Sequence, residues 1–222
     1  MSFTTADVVK LRKATGAGMM DCKNALKDAE GDFDRALEII REKGKLIANK
    51  RADREASEGA ALAKVTEDNK FGAMVVLNCE TDFVAKNENF VAFADSILQV
   101  ALANKAESLD ALKAMDLDGR TVEAQVTEQT GVIGEKLELS YYKCLSAESV
   151  TGYIHPGNKL ATIVGFNKAD VAEEVKKDVA MQVAAMAPVA VDKDAIPQDV
   201  IEKEIEIAKE KFRQEGKPEA ML

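Results

Sequence analysis

Apolar residues recur at helical spacing through the first 43 residues and predict three short helices. The first helix is expected to end at Thr15-Gly16 and the second at Gly31, because glycine is common just past a helix end. The third begins at Asp32, whose carboxylate suits a helix cap, and is expected to end before Gly44. So short a unit buries only a small core, which predicts marginal stability in isolation.

An internal repeat organises much of the remaining chain. Residues 69–78 parallel residues 158–167, an offset of 89 positions (from 69 to 158). Both stretches are mainly apolar, as buried strands are. Each is preceded by another strand-like stretch, at 60–66 and 150–155, and each is followed by a helical pattern. The repeat therefore predicts two related units, each a small antiparallel sheet with helices.

The first copy of the repeat is longer than the second. Residues 97–101 in its helix parallel residues 180–184, so the offset has fallen to 83 positions (from 97 to 180). The surplus lies between strand and helix, where Thr81-Asp82-Phe83 stands. The second copy makes this connection without an Asp-Phe pair, so the repeat does not need one to fold.

Asp82 and Phe83 have two interpretations. Asp82 can cap the following helix while Phe83 packs under the loop. Alternatively, both side chains face a partner, as residues on strand-to-helix loops often do. An elaborated loop on one of two similar scaffolds strengthens the second interpretation and leaves both open.

Further elements are predicted between and after the two copies. The pattern indicates a helix over 121–130, a turn over 131–135 and a half-exposed strand over 136–145. A charged helix is expected over 198–213. It carries one apolar stripe, formed by Ile201, Ile205, Ala208 and Phe212. Because a single stripe needs a surface to pack on, we expect a homodimer through residues 196–213.

Composition narrows the class of protein. The chain has 222 residues, of which 46% are hydrophobic, and this suits one or two domains with real cores. No apolar run approaches the length of a membrane span, and the N-terminus lacks the pattern of a secretory signal. We therefore expect a cytoplasmic protein with no membrane partner. The net charge of -9 argues against direct nucleic-acid binding.

A local basic cluster keeps an RNA-binding interpretation open. It consists of Lys50, Arg51 and Arg54. Clustered basic side chains are what phosphate contacts require. The solvated face of a linker helix explains the same residues and is the interpretation that we favour.

Metal and catalytic chemistry find little support in this sequence. Cys22, Cys79 and Cys144 form no C-x-x-C pair, which fits free thiols in a reducing compartment. With His155 as the single histidine, no zinc site is expected. The nucleophile-elbow, P-loop and dinucleotide-binding motifs do not occur. We expect no catalytic residue, metal or cofactor, so a metabolic enzyme is the least supported class.

Two segments resemble the signature motifs of a known family. Residues 11–26 (LRKATGAGMMDCKNAL) resemble the N-terminal motif of the elongation factor Ts family. Residues 81–86 (TDFVAK) resemble that family's second motif. Two independent motifs in the right order and at the right separation make a specific match, and the resemblance extends over the whole chain.

The resemblance and the hydrophobic pattern together predict an α+β protein that ends in a helical segment. The expected segments are a three-helix module like a ubiquitin-associated domain at 1–44, a charged linker helix at 45–58, core subdomain one at 59–147, an incomplete core subdomain two at 148–188, and the start of a helical hairpin or dimerisation segment at 189–222. The family continues with a returning helix, a strand and a C-terminal helix. We therefore expect this sequence to be a fragment or an unusually short member.

The resemblance implies a function in translation that is not enzymatic. The family promotes GDP release from elongation factor Tu, the GTPase that delivers aminoacyl-tRNA, and binds it in GDP-bound and nucleotide-free forms. In the family, the Phe that matches Phe83 inserts beside the magnesium site of the GTPase, and the Asp that matches Asp82 helps displace the groups that hold the ion. A binding-only fragment without exchange activity is the alternative.

The same resemblance implies which residues contact the GTPase. They are Thr81, Asp82, Phe83 and Val84 on the strand-to-helix loop, Arg12, Met19, Met20 and Lys23 in the N-terminal module, and His155 in the second copy of the repeat. Methionine suits an adaptable partner surface. Two adjacent helical residues point in different directions, so we do not expect both methionines in the core.

Overall fold

The computed structural model describes residues 3–216 as a mixture of helices and small antiparallel sheets, which confirms the predicted α+β class. The helices are α1 (Thr5–Thr15), α2 (Met19–Asp28), α3 (Phe33–Lys50), α4 (Asp82–Ala85), α5 (Glu88–Asn104), α6 (Leu109–Ala114), α7 (Val122–Ile133), α8 (Glu173–Met186) and α9 (Gln198–Gln214). The strands are β1 (Glu58–Val65), β2 (Phe71–Cys79), β3 (Asp116–Leu117), β4 (Arg120–Thr121), β5 (Glu138–Ser146), β6 (Ser149–Ile154) and β7 (Ala161–Phe166). None of the helices within 3–216 is long and apolar enough to cross a membrane.

The chain divides into two units, Met1–Ala184 and Ala185–Leu222. Parts of two predicted segments fall outside the described residues: the first two positions of 1–44 and the last six of 189–222. The boundaries of the five predicted segments remain predictions.

The N-terminal module is formed by α1, α2 and α3 around its own small core. Thr4 and Asp7 form a reciprocal capping box at the start of α1, and Gly16 ends that helix in the left-handed conformation at φ 73°. Asp32 caps α3 as predicted, because its carboxylate accepts a hydrogen bond from Arg35 N–H at 2.9 Å. The core residues are Val8, Leu11, Ala17, Cys22, Ala25, Leu26, Ala29 and Ala36.

The predicted end of the third helix before Gly44 is wrong. α3 continues through Gly44 to Lys50, so the first part of the expected linker helix belongs to the same helix. Gly44 is buried against α7, where its nearest neighbours are the backbones of Glu128 and Gly131. Gly44 therefore lies at a helix–helix contact in the middle of α3 and does not mark the end of that helix.

The main core lies between a three-stranded sheet and α5. The antiparallel strands follow the order β1-β2-β5. Ala60 and Leu62 of β1 belong to the core that α5 covers, and alternate residues Ala61 and Ala63 belong to a second cluster. Phe90, only 2% exposed, is the largest fully buried side chain that α5 contributes. β1 is therefore buried on both sides.

The hairpin β6–β7 is the second copy of the repeat and lies against the first copy. Ala61 N–H donates to the carbonyl oxygen of Asn158 at 2.7 Å, which joins β1 to the turn of this hairpin. Asn69 and Asn158, which the offset of 89 makes equivalent, both adopt left-handed backbone conformations, at φ 54° and 58°. The hairpins predicted by the repeat are thus confirmed, with the same turn conformation in each.

Several short elements had no signal in the hydrophobic pattern. These are α4, α6 and the two-residue pair β3–β4. The turn predicted over 131–135 begins later than expected, because α7 continues to Ile133 and ends at Gly134 in the left-handed conformation. The predicted helix over 198–213 is confirmed as α9, in which no residue is buried.

Candidate functional site

The Asp82-Phe83 segment forms a single helical turn, α4, just after β2 ends. The hydroxyl of Thr81 caps this turn by accepting a hydrogen bond from Val84 N–H at 3.5 Å. The next helix, α5, has its own cap in Asn87, whose side chain accepts from Asn89 N–H at 2.9 Å. The interpretation of Asp82 as the cap is therefore wrong, because Thr81 and Asn87 cap the two helices.

Phe83 projects from this turn into solvent. Its side chain is 84% exposed, whereas Ala85 two positions later is buried and Val84 packs against the main core. The interpretation that Phe83 packs under the loop is therefore wrong. A large exposed aromatic ring on an anchored turn is typical of a side chain that becomes buried on binding a partner.

Asp82 carries a fixed negative charge beside the Phe83 ring. Its carboxylate accepts a hydrogen bond from Lys86 Nζ at 2.6 Å, one helical turn away. The hydrogen bond and the positive charge of Lys86 lower the pKa of Asp82 below its ordinary value of 3.8, and the charge of Lys159 adds to this effect. Asp82 is consequently ionised at neutral pH.

The turn of the second hairpin approaches this site through Lys159. Lys159 Nζ forms an ion pair with Glu58 at 2.8 Å, at the start of β1. His155 lies in the same turn and is exposed, and its Nδ1 shares a hydrogen bond with the Tyr153 hydroxyl at 2.9 Å. Among residues 3–216 no hydrogen bond, ion pair or ring contact joins His155 to the Thr81–Val84 segment.

A second exposed surface lies on the N-terminal module. Met19 and Met20 begin α2 and are 42% and 63% exposed, so neither belongs to the core. Arg12 on α1 and Lys23 on α2 are exposed as well. Because Cys22, Ala25 and Leu26 fill the module's core, α2 presents its opposite side to solvent.

A groove of about 530 Å³ runs between Phe83 and the N-terminal module. Its lining includes Phe83, Val84 and Phe93, Val132 and Ile133 of α7, and Gly16 of the N-terminal module. The groove thus brings Phe83 and Val84 together with Gly16 of the module, whereas Met19 and Met20 lie outside its lining.

Comparison with known proteins decides the family. The family model described as elongation factor TS matches residues 80–222. An elongation factor Ts of Christiangramia forsetii is 56% identical over 221 residues, which cover 99% of this chain and 80% of the relative. One of Azobacteroides pseudotrichonymphae is 52% identical over 222 residues, which cover 100% of this chain and 80% of the relative. The chain belongs to the elongation factor Ts family.

Membership of the elongation factor Ts family confirms the family resemblance that the sequence predicts. It identifies a protein of translation elongation and nucleotide exchange. An elongation factor Ts of Bacteroides fragilis is 54% identical over 216 residues, which cover 97% of this chain and 64% of that longer relative.

The sequence did not reveal the groups that hold the elongation factor Ts motif in place. Glu135 bonds to Thr81, and Arg51 bonds to Glu80, at separations of 54 and 29 positions along the chain. The sequence marks Lys86 only as part of a motif, whereas in the structure its Nζ donates a hydrogen bond to Asp82. Its spacing of four residues from Asp82 was the one local signal for such a pair. No group of three potential metal ligands of the types His, Cys, Asp and Glu is found within 3–216.

Proposed function

We propose that this chain is a guanine-nucleotide exchange factor that promotes GDP release from elongation factor Tu. Asp82 and Phe83 insert near the magnesium and nucleotide site of the GTPase. The observation that carries the proposal is the 84% exposure of Phe83 on a turn anchored by buried Ala85. Exchange requires binding and release without a covalent step, so the chain acts as a binding protein and not as an enzyme.

Insertion of Phe83 supplies part of the necessary free energy. To weaken GDP binding a thousandfold, the factor must favour the nucleotide-free GTPase by about 4.1 kcal/mol. Burying an exposed Phe stabilises a complex by about 1.5–3 kcal/mol. Phe83 alone therefore falls short, and a second contact surface is required.

The N-terminal module provides that second surface. Met19 and Met20 offer exposed, flexible apolar side chains against the nucleotide-binding domain, and Arg12 and Lys23 add positive charge beside them. The groove beside Phe83 reaches Gly16 of this module, so a partner that contacts Phe83 lies next to the module. Thr81 and Val84 contribute by holding the inserted turn.

Asp82 acts on the magnesium site through its charge. A carboxylate that remains ionised beside the inserted ring competes for the groups that hold the ion and favours their displacement. Lys86 holds this carboxylate at 2.6 Å and keeps it on the α4 turn. His155 is proposed to approach the same region of the GTPase from the second hairpin.

The chain binds elongation factor Tu in both GDP-bound and nucleotide-free forms, because an exchange factor must meet the first and stabilise the second. A binding-only fragment without exchange activity is the alternative. RNA binding through the basic cluster is less well supported, since Arg51 is already engaged by Glu80 at 2.7 Å. A cytoplasmic location and the absence of a direct nucleic-acid partner remain predictions.

Self-association through residues 196–213 is a further part of the proposal. Ile205 and Ile207 of α9 are 47% and 52% exposed. Ile205 lies on the apolar stripe with Ile201, Ala208 and Phe212. A second copy of the same helix is the simplest surface that covers this stripe.

The test is release of fluorescently labelled GDP from elongation factor Tu in excess unlabelled GDP, followed by stopped-flow fluorescence. The chain is expected to accelerate GDP release. The acceleration by Phe83→Ala is expected to be about 10- to 100-fold smaller. Val175→Ala, which shortens an exposed apolar side chain on α8, is the control and should match the unaltered chain.

Two results would overturn the proposal in different ways. If the chain binds the GTPase without accelerating release, it is the binding-only fragment. If elongation factor Tu releases GDP equally fast with Phe83→Ala, with Val175→Ala and with the unaltered chain, exchange does not depend on the inserted ring.

A further inference from the structure

Two glutamates clasp the segment that precedes Phe83. The carboxylate of Glu135, just after α7, accepts three hydrogen bonds from the end of β2. Its Oε2 accepts from Glu80 N–H at 3.2 Å and Thr81 N–H at 3.0 Å, and its Oε1 accepts from the Thr81 hydroxyl at 2.6 Å. Both backbone donors lie beyond β2, where no strand partner is available to them.

Glu80 returns the contact in the opposite direction. Its carboxylate accepts from Lys136 N–H at 2.6 Å, so each segment's glutamate binds the other segment's backbone. Arg51, just past the end of α3, donates from Nη1 to both oxygens of Glu80 at 2.7 and 3.0 Å. We call this arrangement of Glu80 and Glu135, closed by Arg51, the glutamate clasp.

The glutamate clasp also orients the cap of α4. A hydroxyl has one hydrogen to donate, and that of Thr81 goes to Glu135. A lone pair of the same oxygen is then free to accept from Val84 N–H. A helix of one turn is too short to be stable by itself and depends on such tertiary contacts.

We propose that Glu135 is a positioning residue that holds the α4 turn, and with it Phe83, in the orientation that inserts into the GTPase. The inference rests on the proposed function of Phe83. Arg51 extends the effect, because α3 connects it to the module that carries Met19 and Met20. The clasp thereby sets the separation between the two partner surfaces.

Preorganisation explains why such a clasp serves exchange. An exposed aromatic ring on a loose turn would lose conformational entropy on insertion, and that loss weakens binding. Holding the turn before the partner arrives removes this cost. Hydrogen bonds to a charged group stabilise more than neutral ones do, so three bonds to one carboxylate suit this purpose.

The first test measures amide hydrogen exchange of the whole chain with Glu135→Ala. The amides of Val84, Ala85 and Lys86 are expected to exchange about 10- to 100-fold faster, because the cap and turn lose their support. Amides of α5 should keep their protection, which shows that the variant still folds. Glu138→Ala, which removes a neighbouring exposed carboxylate on β5, is the matched control and should change neither set.

Glu135→Gln is the conservative variant. Its amide oxygen can still accept from both backbone N–H groups, so it should recover most of the protection that Glu135→Ala loses. If α4 amides exchange at the original rate in Glu135→Ala, or equally fast in the Gln and Ala variants, the clasp does not hold the turn through these hydrogen bonds.

The second test is a double-variant cycle in the GDP-release assay. Glu135→Ala is expected to slow release about tenfold in the original chain but less than about twofold when Phe83 is already Ala. A general loss of stability would slow both backgrounds equally and would contradict the proposal.

The two tests separate the possible failures. A chain with no effect on GDP release contradicts the proposed function, and unchanged hydrogen exchange in Glu135→Ala contradicts the clasp whatever the release rate.

Discussion

Gly131 of α7 faces Gly44 of α3 so closely that a β-carbon on Gly131 would overlap the Cα of Gly44. The relationship is not symmetric. A β-carbon on Gly44 would meet nothing nearer than 3.7 Å, which is ordinary van der Waals contact. Ion pairs from Arg41 and Arg120 to Glu128 lie beside this crossing. The crossing joins the N-terminal module to the main core and therefore to the α4 turn.

The asymmetry predicts opposite effects for two similar substitutions. Gly131→Ala forces the helices apart and should lower the free energy of unfolding by about 1–3 kcal/mol, as overpacking does. Gly44→Ala should be neutral or should raise it by up to about 1 kcal/mol, because alanine is favoured over glycine inside a helix. Urea denaturation followed by circular dichroism measures both. Equal destabilisation by the two variants would contradict the described crossing.

Gly44 shows which features of the fold the sequence predicts and which it does not. Periodicity located the helices of the module and the helix α9, and the repeat located both hairpins, because these signals are local. A glycine at a helix end and a glycine at a helix crossing look alike in sequence. The crossing became visible only when Gly131, 87 positions away (from 44 to 131), was brought opposite Gly44.

Only part of the candidate site could be predicted from the sequence. The sequence pointed to Asp82 and Phe83 because the longer copy of the repeat and a family motif coincide there. It did not reveal Glu135, since a carboxylate that accepts backbone hydrogen bonds from residues 54 and 55 positions away has no local signature. The assignment of Met19 and Met20 to a partner surface stays a prediction, although both are exposed.

The two carboxylates at the α4 turn are expected to titrate at low pH for different reasons. The Lys136 N–H is the largest cause that lowers the pKa of Glu80 below 4.5, followed by Arg51. Lys86 supplies the two largest causes that lower the pKa of Asp82 below 3.8. Arg51→Gln should therefore restore the pKa of Glu80 only in part, whereas Lys86→Gln should restore most of that of Asp82.

Carbon-13 NMR titration of the side-chain carboxyls measures these shifts. Because both pKa values are lowered in the folded chain, both carboxylates stabilise the fold at any pH above their ordinary pKa values. That contribution is lost as the pH falls through the lower folded-state values. Stability should thus depend little on these groups between pH 6 and 7, well above about 4.5, the higher of the two ordinary values. A Glu80 pKa at or above 4.5 would contradict the clasp.

The thiols are expected to differ in reactivity. Burial raises the pKa of Cys79 to about 11 and also raises that of Cys22. At pH 8 only about one Cys79 side chain in a thousand is then a thiolate, the reactive form. Cys144 is less buried and should be alkylated first. Iodoacetamide labelling with mass spectrometry tests this, with the urea-unfolded chain as the control in which all three react. Labelling of Cys79 as fast as Cys144 in the folded chain would refute it.

Self-association is expected to depend on the stripe of α9. Sedimentation velocity should show a dimer that forms as the concentration rises. Ile205→Glu places a charge in the stripe and should return the chain to a monomer. Glu206→Gln, on the neighbouring position, is the control and should leave the dimer intact. A clean monomer of the unaltered chain at high concentration would eliminate the proposed dimer.

The central claim is that Phe83 favours the nucleotide-free GTPase over the GDP-bound form. The most direct test measures the dissociation constants of the chain and of Phe83→Ala for both forms of elongation factor Tu. The account predicts that Phe83→Ala weakens binding to the nucleotide-free form by about 10- to 100-fold and affects the GDP-bound form much less. Equal weakening of both complexes would contradict it, because an interaction made equally in both states cannot drive release.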